Sequence, residues 1–415
     1  MIKNRKKIEI HMAGKKDLEK REKADKRHLR VWRIVVPVTG IWMRKKFNYS
    51  FEDFEPADIE GPVIAVINHS NAFDPVLLAS AFRNKPLAFV ASEHLLRMRP
   101  WGPVLNYLGS MIPHTKGAKG RKTALVAIKK IKRGESVFLA AEGEQTWNGL
   151  SVDVMPYTGK LVKGSGASLV TYKLEGAYLS YPRWARYPRK GRIYGHPVNV
   201  YTPEVLAGMT DSEIESAINE DIRDDSAKWQ KEQSGGPVRY VCKKGGNAEG
   251  LERAVCACPE CGRIGGLVSL GDDISCSCGF SARLTDTGFF EKGAPFEYTA
   301  EWEEYDRKKI AELLDEKETG TLFSDERVTL RRVNTDHTDE ILGKGRLELG
   351  YNGSEHMLSA PGMSFALKDI RDMTMVLANR IVFSDAGGYY ELKADKSGST
   401  NLRKYVITWG LERVK

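Results

Sequence analysis

The chain has 415 residues, a length that suggests two or three domains. Apolar residues make up 41% of it and charged residues 29%, which excludes a wholly disordered chain, a collagen-like chain and a polytopic membrane protein. Six cysteines are too few for a disulfide scaffold. Four of them fall within one short window, which favours metal binding in a reducing compartment.

The net charge of +9 belongs to the amino-terminal arm. Residues 1–46 hold 16 Lys and Arg against five acids, so the arm carries +11 and the rest of the chain −2. Such an arm can bind anionic lipid or nucleic acid. Because no cleavable signal sequence is evident, we expect a cytoplasmic protein.

An apolar run, Val31–Met43, favours lipid over nucleic acid as the partner of this arm. It has Trp32 and Trp42 near its ends and is too short to span a bilayer. We therefore predict an interfacial helix that holds the protein on the inner face of the cell membrane. A helix that packs on the catalytic domain with its polar face in water is the alternative interpretation.

Alternating strands and helices are predicted from residue 61 onward. The short apolar runs that predict strands are Val63–Ile67, Leu87–Ala91, Ser136–Ala140 and Ser168–Tyr172. Three helices are predicted. The first begins with Asp74 as its N-cap and Pro75 as its first helical residue, and the other two run from Thr123 to Arg133 and from Thr210 to Lys231. This pattern predicts a mixed α/β sheet flanked by helices.

Residues 233–237, Gln-Ser-Gly-Gly-Pro, have the composition of a linker after this first domain. A cysteine module, a charged helix over Trp302–Glu318 and short strands at Arg327–Val333, Arg346–Tyr351 and Arg380–Ser384 follow. We predict a membrane arm (1–46), a catalytic domain (47–240), a zinc ribbon (241–290) and a mostly β domain (291–415). The last faintly resembles a pleckstrin-homology-like fold.

The stretch Asn68-His69-Ser70-Asn71-Ala72-Phe73-Asp74 carries the candidate chemistry. It lies where a buried strand gives way to a helix, and open α/β sheets place ligands at such strand ends. A histidine oriented by a carboxylate can take a proton from an attacking alcohol near neutral pH. His69 is thus the candidate general base and Asp74 its partner, although a cap alone also accounts for Asp74.

A second signature, Phe138-Leu-Ala-Ala-Glu142-Gly143-Glu144-Gln145-Thr146, follows a later strand. Together the two stretches resemble the glycerolipid acyltransferase superfamily, the 1-acylglycerol-3-phosphate acyltransferases, over about residues 30–230. The resemblance implies catalysis by His69 and Asp74 and acceptor binding by Glu142 and Gly143.

The same resemblance extends to further candidate substrate-binding residues. It places Gln145 and Thr146 at substrate-binding positions. We also expect cationic substrate contacts from Lys116 and Arg121, although a solvated loop accounts for such a Lys/Gly-rich run as well. The family has arginines that hold the acceptor phosphate, and this chain has Gln145 and the pair Thr115-Lys116 in their places. Lysine offers a single positive charge and cannot make the two parallel hydrogen bonds that arginine makes to a phosphate. The stretch from Gly159 to Ala185 resembles a bacterial subgroup that also carries a cysteine module.

Two tight cysteine pairs, Cys258-Pro-Glu-Cys261 and Cys276-Ser-Cys278, have the spacing of a zinc ribbon. Four thiolates would close the shell of a structural Zn²⁺, and the glycine after each pair permits a tight turn. Cys256 is an alternative ligand to Cys258, and we expect Cys242 to be a buried free thiol. The module shows no basic face, so nucleic acid is not an expected partner.

The sequence thus predicts an O-acyltransferase of phospholipid biosynthesis. It would move a fatty acyl group from acyl-CoA or acyl carrier protein to a lysolipid hydroxyl, without a covalent acyl-enzyme. The alternative is an inactive acyltransferase-like scaffold whose zinc ribbon and β domain bind a protein, a membrane or nucleic acid.

Overall fold

The computed structural model describes residues 26–98, 100–114, 120–334, 339–395 and 400–414. The helices of its first part are α1 (residues 26–47), α2 (Asp74–Ala81), α3 (Glu93–Arg97), α4 (Trp101–Leu108), α5 (Arg121–Ile131), α6 (Thr158–Ser165), α7 (Ala177–Ser180), α8 (Pro203–Gly208), α9 (Asp211–Ile222) and α10 (Ser226–Lys231). The strands are β1 (Tyr49–Phe51), β2 (Val63–Ile67), β3 (Leu87–Ser92), β4 (Met111–His114), β5 (Ser136–Leu139), β6 (Ser168–Glu175), β7 (Arg189–Lys190), β8 (Ile193–Tyr201) and β9 (Val241–Cys242).

Seven of these strands form one mixed sheet in the order β1-β8-β6-β2-β5-β3-β4. The run from β6 to β4 is parallel, whereas β8 is antiparallel to β6. Every residue of β2 is buried, as expected for a central strand covered on both faces. The predicted mixed α/β sheet is confirmed, and each of the four predicted strands is present.

Helix α1 packs one face onto this sheet and leaves another exposed. Trp32, Val36, Met43 and Phe47 are buried in the same core as β2 and β6. The indole nitrogen of Trp32 donates to the carbonyl of Arg83. Within the described residues no helix is long and apolar enough to cross a bilayer.

Several predictions about helix ends were wrong. Helix α5 runs over Arg121–Ile131 rather than Thr123–Arg133, and the charged helix runs over Thr299–Glu316 rather than Trp302–Glu318. The helix predicted over Thr210–Lys231 is divided into α9 and α10, because the Asp225 side chain accepts from the backbone N–H groups of Ala227 and Lys228 and starts a new helix. Asp74 is the first residue of α2 rather than its N-cap, and Phe73 precedes it without a side-chain cap. Its carboxylate is turned back toward the loop before the helix.

The carboxy-terminal half has two further sheets. Its elements are β10 (Leu267–Leu270), β11 (Asp273–Cys276), β12 (Ser281–Arg283), α11 (Thr299–Glu316), β13 (Gly320–Val333), β14 (Asp339–Tyr351), β15 (His356–Ala360), β16 (Met363–Ala366), β17 (Thr374–Val376), β18 (Arg380–Ser384), β19 (Tyr389–Ala394) and α12 (Arg403–Val414). Strands β10 to β12 form a small antiparallel sheet in the cysteine module. The other seven form an antiparallel sheet in the order β16-β15-β14-β13-β19-β18-β17, followed by α12. The pleckstrin-homology-like resemblance and the domain boundaries stay predictions.

One hydrophobic core extends from loops of the first part through the cysteine module into the β domain, whereas the seven-stranded sheet of the first part has cores of its own. It joins Trp147 and Trp184 of the first part to Trp302 of α11 and to Tyr390 of the β domain. The carboxy-terminal half is therefore packed against the amino-terminal half, which brings its residues close to the candidate site.

Candidate active site

Two loops meet at the carboxyl end of the central sheet. Strands β2 and β5 are parallel neighbours, so the loop after β2, which carries His69, lies beside the loop after β5, which carries Glu142. Backbone hydrogen bonds join them, with the Thr146 N–H donating to the His69 carbonyl over 2.9 Å. The structure thus brings the two sequence signatures together.

His69 and Asp74 form the predicted hydrogen-bonded pair. Nδ1 of His69 lies 2.9 Å from Oδ2 of Asp74, and the histidine side chain is 23% exposed while the aspartate is fully buried. Because an ionised carboxylate only accepts, this contact places the proton on Nδ1 and leaves the lone pair on Nε2. Within the described residues Nε2 makes no hydrogen bond, and it is not sealed from solvent.

The same carboxylate oxygen also organises the loop. Oδ2 of Asp74 accepts from the backbone N–H groups of Ser70 and Asn71, both at 2.8 Å. Burial raises the pKa of Asp74, whereas the hydrogen bonds from His69 and from these two amides lower it. A buried carboxylate held in this way suits the role of fixing the imidazole tautomer and stabilising an imidazolium.

Glu142 lies beneath the loop that carries His69. It is 5% exposed, and its Oε2 accepts from the backbone N–H of His69 over 3.2 Å. Burial raises its pKa to about 8, with the hydrogen bond from His69 opposing this effect. The contact observed for Glu142 supports the backbone of His69, and its binding of acceptor stays a prediction.

The residues after Glu142 shape the second loop. Gly143 has φ +70°, and a Cβ there would lie 2.5 Å from Sδ of Met155, so the turn requires glycine. Gln145 donates from Nε2 to the carbonyl of Ser70 over 3.0 Å. The buried hydroxyl of Thr146 donates to the carbonyl of Leu150 over 2.7 Å.

Of the two predicted cationic contacts, Arg121 is not brought to this pair of loops. Lys116 lies outside the described residues. Arg121 is exposed at the start of α5, beside the edge strand β4. Strand β4 is three positions from β2 in the sheet, a separation of about 14 Å at the usual spacing between strands.

Three residues that position the site were given no role from the sequence. The Asn68 side chain is fully buried and exchanges two hydrogen bonds with the backbone of Leu174 in β6. Asn71 donates to the carbonyl of Ala177 over 3.0 Å. Arg183 pairs with Glu144 over 2.6 Å. Asn68 and Asn71 lie on either side of His69 in the first motif, so the motif already contained two of the residues that position the loop.

The four predicted zinc ligands form one cluster. The sulfur atoms of Cys258, Cys261, Cys276 and Cys278 all lie within 4.8 Å of one another. The Cys258–Cys278 and Cys261–Cys276 sulfur pairs are 3.6 and 3.9 Å apart. A tetrahedral ion with bonds of about 2.3 Å places its sulfurs about 3.8 Å apart, so this donor set fits Zn²⁺.

The neighbouring residues of the module agree in part with expectation. Gly262 and Gly279 have φ of +71° and +105°, which confirms the predicted tight turns. Cys256 is buried but is not part of the cluster. Cys242 is partly exposed, so the prediction of a buried thiol was wrong; its Sγ lies 3.3 Å from the carbonyl of Lys244 in a turn near the surface.

Comparison with known proteins gives a matching family model and related solved structures. Residues 46–171 match the family model described as Acyltransferase. The chain is also similar to a crystal structure of the 1-acyl-sn-glycerophosphate (LPA) acyltransferase PlsC from Thermotoga maritima. The similar region covers 51% of this chain and 82% of the Thermotoga maritima chain, with 18% sequence identity and a TM-score of 0.41. No curated protein matches the chain in sequence.

The family match covers both loops, from the His69–Asp74 pair to Glu142 and Thr146, and leaves out Arg183, the cysteine module and the β domain. The matched residues lie in the amino-terminal α/β sheet and support an acyltransferase.

Proposed function

We propose that the protein transfers a fatty acyl group from a thioester donor to the hydroxyl of a lysophospholipid or related glycerolipid. The observation that carries this proposal is the His69–Asp74 contact of 2.9 Å, on a loop within the matched acyltransferase region. Nε2 of His69 takes the proton of the acceptor hydroxyl as its oxygen attacks the thioester carbonyl. The thiolate of coenzyme A or of acyl carrier protein leaves.

The loop geometry supports direct transfer rather than a covalent acyl-enzyme. Among the described residues next to His69, Ser70 is 2% exposed and its hydroxyl lies 3.3 Å from Nδ2 of Asn68. Its backbone N–H donates to Asp74, and in the described residues its hydroxyl accepts from Asn68 rather than bonding to the imidazole. A nucleophile–base pair needs a hydrogen bond between the two side chains, and this serine has none to His69.

The experiment is a thioester-release assay with acyl-CoA or acyl carrier protein and a panel of lysolipids. We expect His69→Ala to lower the rate by a factor of about 10²–10⁴, the usual contribution of a general base. Its melting temperature and metal content should match those of the wild type. Retained activity in this variant would refute the role of His69.

We also propose that α1 holds the protein on an anionic membrane surface. Ile34, Val38, Ile41 and Trp42 share one helix face and are 45–63% exposed. Basic residues flank this apolar face, which is the pattern of an interfacial helix. The Trp42 ring lies 5.5 Å from Phe73 in the catalytic loop, so a lipid at this face would lie close to the catalytic loop.

The cysteine cluster supports a structural zinc ion. Cys258, Cys261, Cys276 and Cys278 would hold it as thiolates, and it would tie the turn after β11 to the loop before β10. The shell is complete with four protein ligands, so we assign the ion no part in acyl transfer.

A further inference from the structure

One arginine joins the C-terminal β domain to the loops of the candidate site. Arg183 lies shortly after α7, and its side chain is 6% exposed. The family match ends at residue 171, so this arginine lies outside the matched region. We call the loop after β2, which carries His69, the first catalytic loop, and the loop after β5, which carries Glu142, the second catalytic loop.

All three nitrogens of the Arg183 guanidinium donate hydrogen bonds. On the catalytic side, Nη1 donates to Oε1 of Glu144 over 2.6 Å and to the carbonyl of Gln145 over 3.3 Å. On the other side, Nε donates to the carbonyl of Leu377 over 3.0 Å, and Nη2 donates to that of Met375 over 2.9 Å. The side chain thus bridges the second catalytic loop and the end of β17 with the turn that follows it.

The surroundings of this bridge favour a fixed geometry. The guanidinium carbon lies 4.6 Å from the centre of the Trp147 ring, which covers one face of the cation. Burial lowers the pKa of Arg183, and the carboxylate of Glu144 opposes this effect. Hydrogen bonds from a charged, planar guanidinium are strong and directional, so they hold the two partners at defined positions.

The turn that receives this side chain has a strained backbone. Leu377 has φ of +55°, in the left-handed region that is unfavourable for a residue with a side chain. Such a conformation persists where surrounding contacts hold the chain in place, and it is common at functional sites. The carbonyl that accepts from Nε of Arg183 belongs to this same residue. The β domain is therefore strained at the point where it holds the arginine.

The second catalytic loop passes this constraint on to His69. The side-chain amide of Gln145 donates to the carbonyl of Ser70 over 3.0 Å. The backbone N–H of Thr146 donates to the carbonyl of His69 itself over 2.9 Å. Because Arg183 holds Gln145 by its carbonyl, a continuous path of hydrogen bonds and covalent links runs from the β domain to the backbone of His69.

We propose that Arg183 is a positioning residue for His69, through which the C-terminal β domain sets the rate of acyl transfer. This inference rests on the proposed acyl transfer and adds the β domain to its machinery. A general base works only within hydrogen-bond reach of the proton it takes, so a small displacement of the loop lowers the rate steeply. Within the described residues Arg183 makes no hydrogen bond to His69 or Asp74, so its effect passes through the loops and should fall on kcat.

Arg183→Lys tests the bridge while keeping a positive charge beside Glu144. Lysine has one nitrogen, which cannot occupy the three nitrogen positions of the guanidinium, so the bridge should be lost. In steady-state thioester release with a lysolipid acceptor, we expect kcat to fall by a factor of about 10–10² while KM stays within about threefold. A rise in KM at unchanged kcat would make Arg183 a substrate contact and would overturn the proposal.

A second readout follows the imidazole directly and requires no turnover. In protein with isotopically labelled histidine, the NMR signal of the His69 ring is the one that His69→Ala removes. We expect Arg183→Lys to shift or split this signal, because the first catalytic loop is no longer held in one arrangement. A loss of global stability alone would leave the signal of the folded protein in place.

Arg189→Lys is the matched control. Arg189 is also buried, donates to the backbone carbonyls of Leu179 and Asn247, and lies over the ring of Trp184. Within the described residues it makes no hydrogen bond to either catalytic loop. Its replacement should lower the melting temperature, leave kcat within about threefold of the wild type and leave the His69 signal unchanged. An equal loss of kcat in this control would overturn the proposal.

Glu144→Gln decides the question if Arg183→Lys does not fold. The glutamate side chain is 33% exposed and glutamine has nearly the same shape, so the fold should be kept while the ion pair is lost. We expect kcat to fall about tenfold and the His69 signal to move. In the double variant the two losses should be less than multiplicative, because both changes remove the same contact. The proposal is overturned if every folded variant of this pair keeps the native kcat, or if none of them moves the signal.

The two readouts let this proposal and the acyl-transfer assignment fail separately. If Arg183→Lys moves the His69 signal in a protein that transfers no acyl group, the coupling stands and the assignment falls. If the protein transfers acyl groups, and folded Arg183→Lys does so at the native rate with an unchanged signal, the assignment stands and the coupling falls.

Discussion

Replacing Asp74 by asparagine tests the catalytic pair with little change in shape. The Asn carbonyl oxygen can keep the two backbone hydrogen bonds from Ser70 and Asn71 that Oδ2 accepts. The charge facing His69 is lost. Burial raises the pKa of the native carboxyl, so removing its charge should not destabilise the fold.

The size of the effect follows from the contact distance. A carboxylate 2.9 Å from Nδ1 stabilises an imidazolium by about 6 kcal/mol when the effective dielectric constant is about 20. This is an upper value, because the ring is 23% exposed and carries only part of the charge at the transition state. At about 1.4 kcal/mol for each tenfold change, we expect kcat to fall by a factor of about 10²–10⁴.

The assay is steady-state thioester release, with the melting temperature measured in parallel. Asp306→Asn is the matched control, because Asp306 is also fully buried and also accepts from two backbone N–H groups, those of Cys256 and Ala257. It lies on α11 in the other half of the chain, and its replacement should leave kcat within about threefold of the wild type.

The double variant His69→Ala with Asp74→Asn examines whether the two residues act as a unit. If Asp74 acts through His69, adding the second change should cost almost nothing. A folded Asp74→Asn protein with nearly native kcat would refute the reasoning, and so would rate losses that multiply in the double variant.

Three further outcomes are expected. We expect elemental analysis to find one zinc ion per chain in the wild type and none in Cys261→Ser, which should also melt at a lower temperature; a metal-free wild type would contradict the site. Replacing Ile34 and Ile41 together by Glu should reduce sedimentation with anionic vesicles, whereas Val268→Glu, at an equally exposed apolar residue elsewhere, should not. Burial raises the pKa of Glu142 from 4.5 to about 8, so its stabilising contribution is present at acidic pH and is lost as pH rises through that window. Glu142→Gln should reduce this fall in the free energy of unfolding by up to about 5 kcal/mol, and identical pH profiles by chemical denaturation would count against it.

Local patterns in the sequence were enough to predict the sheet strands, the catalytic pair and the cysteine quartet. Each depends on residues close together in the chain: a five-residue apolar run for β2, a separation of five residues between His69 and Asp74, and two tight pairs for the thiols. Short spacings restrict geometry, because few backbone paths join the two ends. The break between α9 and α10 was missed because the Asp225 cap competes with an otherwise helical pattern.

Only the tertiary structure decided what surrounds the pair. It placed Glu142 under the backbone of His69, left Arg121 at the sheet edge, and brought Arg183 between the second catalytic loop and the β domain. The Glu142–His69 contact joins residues 73 positions apart, and the Arg183–Leu377 contact joins the two halves of the chain across 194 positions. Such contacts depend on how separate sheets pack into one core, and residue spacing along the chain carries no information about that packing.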